Sequence, residues 1–150
     1  MFCRLCKKKK LFKFLDLGLQ PPSDQFKFKS ELNKHTKYYP LEVYLCRNCG
    51  FHQLGYIVNP IELYQNNYPY ESSKTLLGSK HFDNFASSLI KKYKLTKKDL
   101  VVDIGSNVGI LLKGLKKRKI KILGVDPAQN ICKIANKKKI PTLYGFFEKK

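Results

Sequence analysis

The spacing of apolar side chains changes in character near residue 70. Downstream of that point apolar residues recur at steps of three and four, which predicts a helix with one apolar stripe. Ser72 or Ser73 is the predicted cap, because a hydroxyl can accept a hydrogen bond from a free amide of the first helical turn. The stripe consists of Phe82, Phe85, Ala86, Leu89, Ile90 and Tyr93.

Strands and helices then alternate along the rest of the chain. Buried strands are predicted over Leu100–Ile104 and residues 120–125, with Thr142–Tyr144 opening a third. Helices are predicted from residue 108 to about 117 and from 128 to about 138. Strand, helix, strand and helix joined by short loops predict a parallel α/β unit.

Residues 1 to about 60 have a different pattern, with many turn residues and few long apolar periods. Residues 41–46 alternate as a strand does, and residues 51–54 are predicted to return beside them. Residues 17–22 are interpreted as a loop, because Pro21 and Pro22 lack backbone donors and have a fixed φ.

Four cysteines in this first region form two C-x-x-C pairs. Cys3 and Cys6 make the first pair, and Cys46 and Cys49 make the second inside the predicted hairpin. Two such pairs supply the tetrahedral thiolate set that structural zinc prefers, and four thiolates leave no open position for water. The spacing therefore predicts a structural zinc site. His52 is expected to be an ordinary strand or loop residue.

A glycine-containing turn after the first α/β strand indicates a cofactor site. Residues 101–109, VVDIGSNVG, place Asp103 at the strand end and Gly105 and Gly109 around the turn. Asp126 ends the second strand 21 residues after Gly105, where an acidic residue can accept hydrogen bonds from ribose hydroxyls. A dinucleotide diphosphate favours a further glycine where Asn107 stands, and Asp103 would repel it.

S-adenosylmethionine (SAM) fits this loop better than a dinucleotide, because it has a positive sulfonium and no phosphate. A strand–turn–helix without any ligand remains an alternative, since a pair of glycines is weak evidence alone.

The charge of the chain adds a competing interpretation. Its formal net charge is +19, which is compatible with binding to nucleic acid. The 30 basic residues include only three arginines, however, and base-edge recognition favours arginine. Nucleic acid is therefore disfavoured as the main partner. No apolar run approaches the length of a membrane span, so we expect a cytoplasmic protein with reduced thiols and no membrane partner.

Taken together, these motifs resemble the zinc-binding, SAM-dependent sugar C-methyltransferases. The resemblance keeps its order over nearly the whole chain. The matching segments are CRLC at 3–6, LDLGLQPP at 15–22, YPLEV at 39–43, CRNCG at 46–50, YPYESS at 68–73, VDIGSN at 102–107, LGVDPA at 123–128 and GFF at 145–147.

The resemblance implies an α/β fold with two domains. Residues 1–70 would form a zinc-ribbon-like β module, and 71–150 the first part of a Rossmann-like class I methyltransferase domain, truncated here. The implied reaction methylates a carbon of a nucleotide-linked keto-deoxysugar. Its catalytic base is expected beyond Lys150, so no residue of this chain is assigned that role.

The resemblance also implies cofactor contacts. Asp103 would lie near the amino group of SAM, and Asp126 would hold the ribose. Tyr68 and Tyr70 would line the active site or pack a seam between domains, and His81 is a weaker candidate. The implied cofactor-binding set is Asp103, Gly105, Ser106, Asn107, Gly109, Asp126 and Tyr70.

This chain departs from the family pattern at Val108, where members commonly carry an acidic residue. Two alternatives to a methyltransferase fragment stay open. One is a zinc-ribbon interaction module with a vestigial α/β tail, docking on a complementing polypeptide. The other is a basic zinc protein that binds nucleic acid.

Overall fold

A computed structural model describes residues 1–23, 26–65, 68–72 and 75–148. The chain divides into two compact units, Met1–Asn59 and Pro60–Lys150. The division after residue 70 that the sequence indicates stays a prediction.

The first unit contains a three-stranded antiparallel sheet in the order β1-β2-β3. These strands are β1 (Leu11–Gln20), β2 (Tyr39–Cys46) and β3 (His52–Leu54). The β2–β3 hairpin was predicted, but the loop predicted over residues 17–22 is wrong in its first part, because the segment up to Gln20 belongs to β1. Register shifts on either side of Leu15 and Asp16 interrupt the simple alternation by which a strand is recognised.

The second unit is a parallel β-α-β-α-β arrangement preceded by a long helix. Its sheet has the order β4-β5-β6, and all its strand pairs are parallel. The elements are α1 (Leu76–Tyr93), β4 (Leu100–Ile104), α2 (Ile110–Lys117), β5 (Lys121–Asp126), α3 (Gln129–Lys137) and β6 (Thr142–Tyr144).

The cap of α1 differs from the prediction. Thr75 accepts a hydrogen bond from the Gly78 amide at 3.0 Å and begins the helix. Ser72 instead bonds to Asn107, and Ser73 lies outside the described residues.

The core of the second unit lies on one face of the parallel sheet. The buried side chains that form it come from three helices and their loops, and Val101 and Ile122 pack against them from the sheet. The buried cluster is Ala86, Leu112, Leu115, Ile120, Ala135 and Ile140.

The α/β fold class predicted from the sequence is confirmed: a small antiparallel sheet is followed by a Rossmann-like parallel unit. Among the described residues, no helix has the length and apolar character needed to cross a membrane.

Candidate functional site

The first unit brings the two cysteine pairs to one point. Cys3 Sγ lies 3.7 Å from Cys49 Sγ, and Cys6 Sγ lies 3.6 Å from Cys46 Sγ. All four sulfurs lie within 4.8 Å of one another. A tetrahedral zinc site with metal–sulfur bonds of about 2.3 Å has sulfur–sulfur edges of about 3.8 Å. The donor set and its spacing therefore fit zinc.

The two knuckles have the same local geometry. In the first, the Lys7 amide donates to the Cys3 carbonyl at 2.9 Å, and in the second, the Gly50 amide donates to the Cys46 carbonyl at 2.8 Å. The residue that follows each pair is left-handed, with φ of 61° at Lys7 and 74° at Gly50. Glycine suits that conformation, whereas lysine does not, so the first knuckle is the strained copy.

Gln53 joins the two knuckles, a role that no motif in the sequence indicates. It is a buried residue of β3 whose Oε1 accepts from the Arg4 amide at 2.8 Å. Its Nε2 donates to the Phe2 carbonyl at 3.2 Å. The Gln53 side chain thus holds the N-terminal knuckle against the hairpin. The two cysteine pairs meet in this way although 39 residues separate them in the sequence.

Two of the clustered thiols, those of Cys6 and Cys49, differ in pKa. A hydrogen bond from the Lys8 backbone lowers the pKa of Cys6 to about 6. A backbone hydrogen bond from Phe51 lowers the pKa of Cys49, but desolvation and hydrogen bonds with the other three cysteines outweigh it and raise that pKa to about 12. Metal binding requires deprotonated cysteines, so zinc binding by this cluster is expected to release protons.

The remaining sulfur and imidazole candidates lie apart from this cluster. His52 makes an edge-on contact with the Phe14 ring, with ring centroids 5.4 Å apart. Cys132 is buried on α3, where desolvation and then the charge of Asp126 raise its pKa to about 11. Among the described residues, neither belongs to the metal cluster.

The second unit contains a cavity of about 710 Å³ at the carboxyl ends of its strands. Asp103 and Asp126 enter it from β4 and β5, and Phe82 and Phe85 enter it from α1. Six of the seven predicted cofactor residues line it: Asp103, Gly105, Ser106, Asn107, Asp126 and Tyr70.

Gly109, the seventh, is not part of this lining. A Cβ added there would come within 2.5 Å of Ile140 Cγ2, so this glycine permits close packing against the core. Its neighbour Val108 is 2 % exposed and packs with Ala128 and Ile131, which explains the apolar residue at that position. His81 is exposed on α1 and stacks near Phe85 rather than lining the cavity.

The backbone amides of the glycine loop are already used. Gly105 and Ser106 both donate to the Val125 carbonyl, at 2.8 and 3.2 Å. Asn107 donates to Asp126 Oδ2 at 2.8 Å, Val108 to Asn107 Oδ1 at 2.9 Å, and Gly109 to the Ser106 carbonyl at 3.0 Å. A phosphate cradle needs amides that point at the ligand, and none between 105 and 109 is free to do so.

The charge of the cavity is opposite to that of the chain. Two carboxylates, those of Asp103 and Asp126, line it, whereas no lysine, arginine or histidine is among the described lining residues. Desolvation, followed by repulsion from Asp126, raises the pKa of Asp103. In a chain of net charge +19, this cavity is a local region of negative charge.

Asp126 also organises the loop. Its Oδ2 accepts from the Asn107 amide, and its Oδ1 accepts from the Ala128 amide at 2.9 Å. A carboxylate has about four acceptor positions, so two remain for a ligand's hydroxyl groups.

Ser106 and Gly105 contribute shape rather than charge. A Cβ added at Gly105, which has φ of 74°, would meet nothing within 4 Å, so the cavity is open beside its backbone. Ser106 Oγ is buried without a hydrogen-bond partner among the described residues. It lies beside Gly124, where an added Cβ would approach to 2.5 Å.

Comparison with known proteins agrees with the metal cluster. Residues 3–64 match the methyltransferase family described as "Putative zinc binding domain". The N-terminal segment is therefore similar to this domain family. The chain is also 27 % identical over 145 residues to the C-methyltransferase NovU of Streptomyces niveus. The alignment covers 97 % of this chain and 34 % of NovU, so the chain spans about a third of the length of that relative.

These matches confirm the resemblance to zinc-binding methyltransferases, and they support zinc binding by the four-cysteine cluster.

Proposed function

We propose that the second unit binds SAM and that the chain works as part of a C-methyltransferase. The observation that carries this proposal is a pair of carboxylates in a cavity that has no lysine, arginine or histidine among its described lining residues, on a chain of net charge +19. SAM presents a sulfonium and an ammonium, so the negative charge of this cavity is favourable for it. The occupied amides of the loop argue against a diphosphate cofactor.

Each cavity residue has a proposed part in binding. Asp103 accepts hydrogen bonds from the amino group of SAM, and Asp126 accepts from the ribose hydroxyls through its remaining lone pairs. Gly105 lets the cofactor approach the backbone, since no Cβ fills the space beside it. The aromatic rings of Phe82, Phe85 and Tyr70 enclose apolar parts of the ligand.

We further propose that the methyl acceptor is a carbon of a nucleotide-linked keto-deoxysugar. Similarity to NovU, a C-methyltransferase, and the ordered family motifs support this. SAM supplies the methyl group. We also propose that chain segments beyond those described, on this or a complementing polypeptide, supply the base that removes the proton next to the sugar's keto group. Zinc held by the four cysteines would stabilise the β1–β3 module and would take no part in methyl transfer, since four thiolates would fill its coordination sphere.

Calorimetric titration tests the cofactor assignment. SAM is expected to bind the 150-residue chain, and NAD⁺ is expected not to bind. Asp103→Asn is expected to weaken SAM binding, whereas Asp99→Asn, at the opposite end of β4, should leave it unchanged. Binding of NAD⁺ in preference to SAM would replace the proposal with a dinucleotide site.

Transfer of a labelled methyl group tests the acceptor. Label from methyl-labelled SAM is expected on the sugar carbon of a nucleotide-linked keto-deoxysugar when the chain is supplied with any polypeptide that completes it. Label appearing on nucleic acid instead would contradict the sugar assignment.

A further inference from the structure

Two asparagine side chains donate hydrogen bonds to the backbone carbonyls of Tyr68 and Tyr70, which line the cavity. Asn107 Nδ2 donates to the Tyr70 carbonyl at 2.9 Å. Asn130 Nδ2, from α3, donates to the Tyr68 carbonyl at 2.9 Å. We name residues 68–72 the tyrosine segment; Tyr68, Tyr70 and Ser72 all line the cavity.

Asn107 is bonded to this segment through both ends of its amide. Its Oδ1 accepts from the Ser72 amide at 3.0 Å and the Ser72 hydroxyl at 3.2 Å, as well as from the Val108 amide. Its own backbone amide donates to Asp126. One residue therefore connects the tyrosine segment, the glycine loop and the acid proposed to hold the ribose.

This geometry separates Asn107 from the residues that contact a cofactor directly. Its Oδ1 already accepts three hydrogen bonds, and its Nδ2 is directed at the Tyr70 carbonyl. Its φ of 50° lies in the left-handed region, which asparagine tolerates better than most residues. The backbone here is shaped so that the side chain points back at the tyrosine segment.

The two tyrosine rings depend on this attachment to different extents. Tyr68 packs beside Val108, Ala128 and Ile131, and its ring meets that of Tyr64 at a centroid distance of 5.8 Å. Tyr70 is 57 % exposed, so packing alone does not fix it. The position of Tyr70 at the cavity is therefore set mainly through its backbone.

We infer that Asn107 and Asn130 are positioning residues. Their hydrogen bonds form a latch that holds the tyrosine segment at the cofactor cavity, and so they set the shape of the cavity and its affinity for the cofactor. This inference rests on the proposed function, because it assigns the latched wall to a SAM site. The latch acts through backbone carbonyls and the Ser72 amide, and neither asparagine is required to touch the cofactor.

The latch can be tested without ligand by amide hydrogen exchange of the 150-residue chain followed by NMR. Asn107→Gly removes the side chain while keeping a residue that accepts positive φ. It is expected to raise the exchange rate of the Ser72 amide about tenfold or more, as is typical when one or two hydrogen bonds are lost. Asn107→Asp keeps the acceptor and should preserve Ser72 protection while releasing the Tyr70 carbonyl. Asn84→Ala, an exposed asparagine of α1, is the matched control.

SAM titration of the same variants supplies the functional result. Asn107→Gly and Asn130→Ala are each expected to weaken SAM binding, by about tenfold for the first, and Asn84→Ala should bind as the parent chain does. Weakened binding in Asn107→Gly with unchanged Ser72 exchange and no effect of Asn130→Ala would overturn the latch in favour of direct contact. If Asn107→Gly does not fold, Asn107→Asp and Asn130→Ala decide the question.

Failure of the proposed function has a different signature. A parent chain that does not bind SAM refutes the cofactor assignment, while the Ser72 exchange rates still support or overturn the latch itself.

Discussion

The surroundings of Asp103 disfavour the ionised form of its carboxyl group. Desolvation, then repulsion from Asp126, raises its pKa, so the folded chain holds a proton on this carboxyl more tightly than the unfolded chain does. For an acid with a raised folded pKa, stability falls as pH rises from the unfolded to the folded value. The ionised form that a cationic ligand needs is therefore the form that weakens the fold.

Replacement of Asp103 by asparagine is expected to separate these effects. Asp103→Asn should increase the free energy of unfolding near neutral pH, because no charge is left to desolvate. It should weaken SAM binding by about 10- to 100-fold, as is typical for loss of a hydrogen bond between charged groups. Denaturant unfolding and calorimetry measure the two quantities. A variant that is less stable yet binds SAM equally well would contradict the assignment.

The same carboxyl predicts how binding depends on pH. SAM affinity should fall as pH decreases through the raised pKa of Asp103, because protonation removes the charge that meets the ammonium. Calorimetric titrations at a series of pH values check this. Asp103→Asn is the control, since its affinity should stay level over that interval; an equal fall in both proteins would assign the titration to another group.

Lys7 is the residue at which the zinc module is locally strained. It occupies the left-handed conformation that Gly50 occupies in the second knuckle. Lys7→Gly is expected to raise the free energy of unfolding of the zinc-loaded chain by about 1 kcal/mol. Gly50→Ala should lower it by a similar amount. Denaturant unfolding of both variants measures the difference, and no change in either would show that the knuckles are not strained as their φ angles imply.

The sequence alone predicts residues that form a motif of regular spacing. It does not predict residues whose role depends on contacts that form only in the folded chain. The cysteines repeat as two pairs, and Asp103 and Asp126 each end a strand, so both features are visible in the chain. Gln53 and Asn130 have no motif; their importance comes from backbone groups that only folding brings near them. Gly109 fitted a loop pattern, but its contact with Ile140 is a packing constraint that no spacing encodes.

At the scale of elements, periodicity predicted the parallel unit better than the antiparallel one. The predicted strand over residues 100–104 has the bounds of β4, because its short length and β-branched residues favour a strand over a helix. It is not a buried strand as predicted, since Leu100 and Val102 are exposed. The first strand was not predicted, because its register shifts near Leu15 and Asp16 break the period of two that identifies a half-buried strand.

The antiparallel module is small, and its metal is expected to hold it together. Most residues of β1 are exposed, and the fully buried side chains of this unit include Cys3 and Cys46 themselves. Chelation of zinc should therefore unfold β1–β3, since a structural metal contributes folding free energy directly. Hydrogen exchange measures the loss of amide protection in this sheet. The amides of β4–β6 serve as an internal reference.

Single substitutions give the same test at the level of metal content. Cys46→Ser should lower bound zinc below the one equivalent per chain expected for a four-thiolate site, and Cys132→Ser should leave it unchanged. Metal analysis after dialysis measures this. Full zinc content in Cys46→Ser would show that the metal lies elsewhere.

At the scale of the whole molecule, the described part of the second unit has its helical core on one face of the parallel sheet and exposed apolar side chains on the other. Val101 and Ile122 face the helical core, whereas Leu100, Val102 and Leu143 lie on the other face with exposures of 56, 41 and 58 %. Parallel sheets in proteins are normally buried on both faces. The uncovered apolar face, on a chain spanning about a third of NovU, is where we expect a further layer of structure to pack.

The double variant Leu100→Lys with Val102→Lys tests this expectation. Because both side chains are largely exposed, the parent fold should keep most of its stability, while binding of a hydrophobic dye and self-association of the 150-residue chain should fall. Val101→Lys, between them but facing the core, is the matched control and should unfold the unit. Where a complementing polypeptide exists, the double variant should also lose its binding. Unchanged dye binding, self-association and complementation would mean that this face is covered by nothing, and the expected second layer would have to pack elsewhere.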